Sequence, residues 1–311
     1  MFMISLNSTL ARYNEGCIDK PTFIKKMYDD HHASLFDYAD YLVRTNIKKI
    51  EIEDGRLIFT SRDRGIRIEC VPGDFRIAPI EMFNFFDYEK NESIVMENLV
   101  SDGDNYFDIG ANIGWYSINI AAARRFAKIY SFEPIPSTYI YLQKNIELNS
   151  VPNIKIHNFG FSNKTGEFPF YYYPEGSGNA SLTNVSGRTD IKTTQCKVKT
   201  FDNYIAETGL RVDFIKCDVE GAELFVFQGA IDTITRDKPI VFSEILRKWS
   251  AKFNYIPNEV FDLFRRLGYQ VFVASCGNLR EFDISDELST ETNYFFLHSQ
   301  KHARQISRFQ V

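Results

Sequence analysis

The sequence predicts an α/β fold: a doubly wound, mostly parallel sheet of seven strands ending in an antiparallel hairpin, with N-terminal helices and a small β cap in front. Three observations carry this. From residue 104 apolar strand-like runs alternate with segments of helical period, the pattern of a parallel sheet. The last two runs, Tyr269–Ala274 and Tyr294–His298, have no helix between them and should pair antiparallel. A glycine turn, Gly110 to Gly114, links the first strand of this region to a helix.

Residues 1–48 read as polar helices, for instance from Phe23 to Leu42. Between 49 and 78 the period changes. Ile50, Ile52, Leu57 and Phe59 flank Asp54-Gly55, a hairpin signal, and Ile66 and Ile68 alternate with Arg67 and Glu69. A helix from Asn91 to Leu99 leads into the sheet. Strands follow at Tyr106–Ile109, Lys128–Phe132, Ile154–Phe159, Val212–Cys217 and Ile240–Ser243. The helices between them start near Gly114, Pro136 and Ala222, and Val260, Phe261, Phe264 and Leu267 share one face of another. Residues 163–200 are irregular and β-rich. The divisions expected are an N-terminal segment with its cap (1–84), a ligand-binding domain (85–300) and a C-terminal tail (301–311).

Composition narrows the function classes. The 311 residues carry a net charge of −5 without a basic tail, which argues against a nucleic-acid partner. The five cysteines are scattered and form no CxxC pair, so reduced thiols in the cytoplasm are the simplest expectation. The start lacks a basic n-region, and no run approaches the ~20 apolar residues of a membrane span. An aromatic share of 15% predicts a Phe-rich core.

The chemistry is expected at the strand ends. Gly110 and Gly114 allow a tight turn against a ligand, and open α/β sheets bind ligands outside the carboxyl ends of their strands. Asp108 lies at that edge, with Ala111 and Asn112 in the turn. Glu133, nineteen residues past Gly114 and followed by Pro134, is placed to accept both hydroxyls of a ribose. A nicotinamide dinucleotide and S-adenosylmethionine fit equally so far. Three details favour the second. The spacing is G-x-x-x-G rather than G-x-G-x-x-G, Trp115 and Tyr116 stand where a third glycine would be, and a carboxylate precedes the turn. That carboxylate suits a cationic ligand and would repel a pyrophosphate.

The fourth strand runs into Lys216-Cys217-Asp218-Val219-Glu220-Gly221-Ala222-Glu223. Lys216, Asp218 and Glu220 alternate and so share one side of an extended backbone. Glu244 ends the next strand at the same rim. The plainer alternative is surface charge, with Glu223 facing a helix dipole.

At this point the residues resemble a family. Asp108 to Gly114, Phe132-Glu133-Pro134, Thr200-Phe201-Asp202 and Ile215 to Glu223 are similar to the FkbM-type methyltransferases, in the family's order and over roughly residues 85–300. Phe201 departs from the family's usual Leu, a core-sized change. The resemblance implies a class I, Rossmann-like methyltransferase that moves the methyl of S-adenosylmethionine to an oxygen. It further implies acceptors such as sugar hydroxyls of glycans and lipid-linked saccharides or hydroxyls of macrolide-type products.

On this reading Asp108 and the Gly110–Gly114 turn hold the amino-acid end, Glu133 the ribose, and Phe161 and Ser162 flank the adenine. Glu220 or Glu244 is the base, Asp218 stands nearest the methyl, and Lys216 either tunes their charge or is structural. Asn179 and Ser181 belong to a loop over the acceptor, and His157 is a packed histidine rather than a base. Mg²⁺ on Asp218 and Glu244 is the less favoured alternative to a metal-free site. Rival readings are nitrogen methylation, a nicotinamide-dependent oxidoreductase and a non-catalytic binding module. The N-terminal helices are expected to serve a homodimer or the acceptor.

Overall fold

The computed structural model describes residues 5–173, 175–284, 286 and 288–311, apart from the side chain of residue 177. The chain opens with α1 (Leu6–Asn14), α2 (Lys20–Met27), a π-helical turn at Tyr28–His32 and α3 (Ser34–Leu42). Ser5 and Asp19 cap the first two by accepting the amides of Ser8 at 3.1 Å and Thr22 at 3.0 Å, groups that a helix start leaves free. In these three helices only Thr9 is buried, while Leu35, Phe36 and, just beyond, Val43 stay exposed.

The cap is a three-stranded antiparallel sheet of β1 (Ile47–Glu53), β2 (Arg56–Ser61) and β3 (Arg67–Glu69). Asp54 and Gly55 turn the hairpin with φ of 50° and 75°, as the Asp-Gly pair predicts. Ile47, Phe59, Ile66 and Ile68 join one core with Val95, Met96 and Ile118, so the cap has no separate interior. Next come α4 (Ala78–Phe85) and α5 (Lys90–Leu99).

The main domain alternates β4 (Asn105–Ile109), α6 (Trp115–Ala123), β5 (Lys128–Phe132), α7 (Pro136–Asn149) and β6 (Ile154–His157). After it, β7 (Gly160–Phe161), β8 (Gly166–Tyr173), β9 (Gly176–Ser181) and β10 (Lys192–Lys199) form a second sheet in the order β7-β10-β8-β9. The stretch read as irregular is thus largely this side sheet. The chain returns through α8 (Phe201–Thr208), β11 (Phe214–Cys217), α9 (Glu223–Gln228), α10 (Ile231–Asp237), β12 (Ile240–Glu244), α11 (Arg247–Ser250) and α12 (Pro257–Arg266). It closes with β13 (Tyr269–Ser275), β14 (Asn278–Glu281), β15 (Asn293–His298) and α13 (Ala303–Phe309).

The main sheet runs β14-β13-β15-β12-β11-β4-β5-β6. It has eight strands rather than seven, because Asn278–Glu281 folds back on β13 after the turn at Cys276 and Gly277. β4, β5, β6, β11 and β12 are parallel, and β15 is antiparallel to both β12 and β13. Side chains alternate between the faces, as a strand period of two demands. Tyr106, Phe214 and Phe242 enter one core, and Phe107, Ile215 and Val241 the other. Residues 301–311, expected as a tail, carry α13, which buries Ile306. His157 is packed as expected: it stacks on Phe132 with ring centres 4.9 Å apart and pairs with the Tyr204 hydroxyl at 3.2 Å. Burial pushes its pKa down to about 4. No helix among the described residues is long and apolar enough to cross a membrane.

Candidate active site

The strand order reverses at β4, which lies between β5 and β11, and there the chain turns out of the sheet. Gly110 has a φ of +76°, and a Cβ on it would stand 1.8 Å from the carbonyl oxygen of Asp218. Only glycine fits. The amides of Gly110 and Ala111 donate to the Phe132 carbonyl at 3.0 and 2.9 Å, tying the turn to β5. Asn112 is left-handed (φ 48°) and donates its amide to Glu133 Oε2 at 3.0 Å. Its own Oδ1 is buried without a partner. Gly114 (φ +94°) lets α6 pass Leu142, whose Cδ1 would lie 2.7 Å from a Cβ there.

A cavity of about 530 Å³ opens above the ends of β12, β11, β4 and β5. Among the residues singled out from sequence, it brings together Gly110, Asn112, Glu133 and Pro134 on one side with Asp218, Glu220 and Glu244 on the other, and Asn179 at its edge. The remaining ones lie elsewhere. Asp108 is wholly buried behind the turn, where its carboxylate accepts from Ser117 at 2.6 Å and faces Lys216 Nζ at 3.4 Å. It lies beneath the cavity floor rather than on it, because its strand position turns it into the layer under the glycine turn. Ala111 and Gly114 shape that turn without lining the cavity. Lys216, 3% exposed, donates to the Gly110 carbonyl at 2.7 Å and lies 3.4 Å from both Asp108 and Asp218. Burial opposes its charge, but the two aspartates more than offset this and hold its pKa above the usual value. Its position is that of a brace between strand and turn.

Phe161 and Ser162 do not line the cavity either. Phe161 sits in an aromatic cluster with Phe132, Phe201 and Tyr204, and Ser162 is 4% exposed with its amide on the Lys199 carbonyl. β6 ends early, so these two fall on the side sheet; Pro134 and Phe170 occupy the corresponding wall. Ser181 is fully buried and donates its hydroxyl to the Glu220 carbonyl at 2.7 Å, fastening β9 to the acidic loop.

The acidic side is a cluster. Asp218, Glu220 and Glu244 offer carboxylate oxygens within 4.8 Å of one another. Glu220 is itself left-handed (φ 54°). Glu223 holds that loop, with Oε1 accepting from Val219 and Gly221 at 3.0 Å each and Oε2 from the Tyr255 hydroxyl at 3.1 Å. Burial, and then the charge of Asp218, push the carboxyls of Glu220 and Glu244 well above the usual carboxylate range. Glu89, which sequence reading missed, lines the same cavity, accepts from Tyr116 and Asn293, and is pushed up to about 7 by burial. Its φ of 41° belongs to a tight lead-in to α5 that carries no motif. Tyr88, Tyr173 and Trp249, also on the wall, were equally silent in sequence.

These shifts set a pH dependence. Glu89, Glu133 and Glu223 all sit near 7 instead of 4.5, mainly through burial. A raised carboxyl favours the fold when protonated, so its contribution is complete below about 4.5 and disappears as pH rises through 7. The ligand-free protein should therefore lose several degrees of melting temperature between pH 5.5 and 7.5. A melting temperature that climbs over that interval in differential scanning fluorimetry would refute this.

Comparison with known proteins agrees with this geometry. The family model described as the methyltransferase FkbM domain matches residues 108–271, just over half the chain. Methyltransferase sdnD of Sordaria araneosa is 32% identical over 151 residues, 39% of this chain and 58% of that protein. Methyltransferase 1 of Beauveria bassiana is 28% identical over 143 residues, 40% and 57% respectively. The AMB antimetabolite synthetase AmbE of Pseudomonas aeruginosa is 26% identical over 244 residues, 65% of this chain but 11% of that much longer protein. The chain thus spans between a tenth and three fifths of these relatives. Among solved structures, FkbM of Methylobacillus flagellatus aligns with a TM-score of 0.42 and 19% identity, over 63% of this chain and 44% of that one. A likeness that weak positions no residue. The matched segment begins at Asp108, holds the glycine turn, Glu133, Asp218, Glu220 and Glu244, and ends in β13, so it contains the strand-end groups of the cavity while Arg76 to Glu89 line it from outside, and the chain belongs to the FkbM methyltransferase family.

Proposed function

We propose that this methyltransferase uses S-adenosylmethionine and methylates a hydroxyl oxygen of an uncharged sugar unit in a glycan, lipid-linked saccharide or related metabolite. The order of groups along the rim carries the reading. Glu133 follows β5, Gly110 follows β4, Asp218 and Glu220 follow β11, and Glu244 ends β12. At about 4.8 Å per strand, Glu133 lies about 10 Å from the Asp218 strand and about 14 Å from that of Glu244. That span suits a nucleoside with its ribose at Glu133 and its sulfur end at the carboxylates.

The residues fit such a ligand. Pro134 and Phe170 form a wall for the base. Glu133 uses its oxygens on the Ile135 and Asn112 amides, at 2.9 and 3.0 Å, and each retains a lone pair for a ribose hydroxyl. Asn112 Oδ1 and Asp218 face the amino-acid end, with Lys216 and Asp108 fixing Asp218 and the turn from behind. When bound, S-adenosylmethionine supplies a methyl group activated by a sulfonium. The chain supplies position and a base. Orientation of this kind contributes up to ~7–11 kcal/mol. Glu220 or Glu244 takes the acceptor's proton; a carboxyl whose pKa is raised is the stronger base once ionised. Phe85, Tyr173 and Trp249 at the mouth offer ring surface to a saccharide.

Asp218, Glu220 and Glu244 stand close enough to share a divalent ion, but Lys216 already provides Asp218 with a counter-charge. The metal-free reading is retained. The deciding experiment is labelled-methyl transfer from S-adenosylmethionine into glycans, nucleotide sugars, lipid-linked saccharides and amines, with and without EDTA. Saccharide methylation that survives EDTA is expected. Transfer to amines alone would replace the oxygen reading, and loss of turnover with EDTA would install the metal. We also infer that the exposed apolar side chains of α3 serve a homodimer. Sedimentation should show a dimer that Phe36→Glu dissociates; a monomeric parent refutes it.

A further inference from the structure

A second cavity, of about 290 Å³, lies between the cap, the start of α5 and α6. Asp87 and Tyr88 line both cavities, so the two share a wall. The volume matches roughly ten waters of liquid at about 30 Å³ each, close to the lower bound for ligand pockets and more than one or two structural waters would fill. Four of its five charges are paired and the fifth, Asp63, is hydrogen-bonded to a neutral amide. Arg64 holds Glu97, Lys90 holds Asp87 at 3.1 Å, and Asp63 accepts from Asn46 at 3.1 Å. Two other lining residues carry buried polar atoms without a partner: Ser93 Oγ and the indole Nε1 of Trp115, a side chain 8% exposed. A buried donor left unpaired is unfavourable, and a ligand oxygen would restore the missing bond. Trp115 meets Tyr88 edge-on, ring centres 6.2 Å apart, which sets one aromatic ring beside the shared wall and one, Tyr88, in it.

A pocket with no free cation among its described lining residues, one carboxylate (Asp63) able to accept from a hydroxyl, a spare N–H, a spare hydroxyl and aromatic surface suits an uncharged polyhydroxyl unit. We propose that this cavity is a distal acceptor subsite, which takes a second sugar ring joined to the one methylated in the main cavity. This rests on the sugar-hydroxyl reading above and adds to it a preferred acceptor length, set by residues of which all but Trp115 and Asn119 precede the matched family segment.

The test compares methyl glycosides with disaccharides of the same sugars in the labelled-methyl assay. A disaccharide should exceed its methyl glycoside at least tenfold in kcat/KM. Ser93→Phe, which fills the cavity, should raise KM for the disaccharide at least tenfold, leaving the methyl glycoside and calorimetric cofactor binding within twofold. Ser93→Ala should raise the disaccharide KM three- to tenfold, and it decides the matter if Ser93→Phe no longer binds cofactor. Equal use of both acceptors, or equal losses on both in these variants, overturns the subsite and leaves sugar methylation standing. Failure of the parent to methylate any saccharide overturns both.

Discussion

Glutamine in place of the base, Glu220 or Glu244, should lower kcat by about 10²–10⁴-fold while cofactor affinity changes less than tenfold. The amide keeps shape and hydrogen bonding but accepts no proton. The two substitutions need not behave alike, and the difference identifies the base. Each carboxyl is raised by burial and then by its acidic neighbours. Removing a neighbour's charge lowers the pKa of the one that remains. The variant that removes the base loses kcat at every pH. The variant that removes its neighbour keeps most of kcat and moves the acid limb of the rate profile to lower pH. In the parent that limb should lie above the ordinary carboxylate range, with the rate rising with pH as the base ionises. Steady-state kinetics over pH 5–9 with calorimetric cofactor binding reads all of this. If both variants stay within threefold of the parent, neither residue is the base.

Gly110→Ala should cost more than about 4 kcal/mol, at the extreme of single-substitution effects. The clash is with backbone, the Asp218 carbonyl at 1.8 Å, so no side chain can move aside. The positive φ adds strain. Relief would push β11 from β4, break the Lys216 bond to the Gly110 carbonyl and spread the carboxylate cluster. A fall of at least about 8 °C in melting temperature is expected, at about 2–4 °C per kcal/mol for a domain somewhat smaller than this chain. Loss of cofactor binding should accompany it. A variant within 3 °C of the parent that still binds would show that the turn adapts.

The parallel strands and the glycine turn were legible because their signals are local: an apolar run, a period, a pair of glycines. So were the rim carboxylates, since a residue just past a strand end has few places to go. Lys216 has the structural place that was one of its two readings, and the depth of Asp108 was not legible for a related reason. A strand's alternation says which residues share a side but not which layer that side faces, and here it faces the layer beneath the turn. Phe161 and Ser162 stand off the cavity because β6 stops at His157 and the chain enters a side sheet whose pairing, β10 with β7 and β8, is long-range. Glu89 and Tyr88 had no signal, as they reach the cavity from a lead-in whose path depends on the packing of α5.

Asn145 is fully buried on α7. Its side-chain oxygen accepts the Glu69 amide of β3 at 2.8 Å, and its nitrogen donates to the Ile113 carbonyl at 2.9 Å. One helical turn on, Asn149 exchanges two bonds with the Arg67 backbone, at 2.8 and 2.6 Å. The helix therefore completes the edge strand of the cap with carboxamides, and a single residue links that strand to the glycine turn. Anyone trimming this enzyme to its family segment, or grafting that segment into another protein, would remove β3 and leave the Asn145 carboxamide oxygen and both polar ends of the Asn149 side chain without these partners. Residues that look like an appendage in sequence are bonded to the helix that braces the turn.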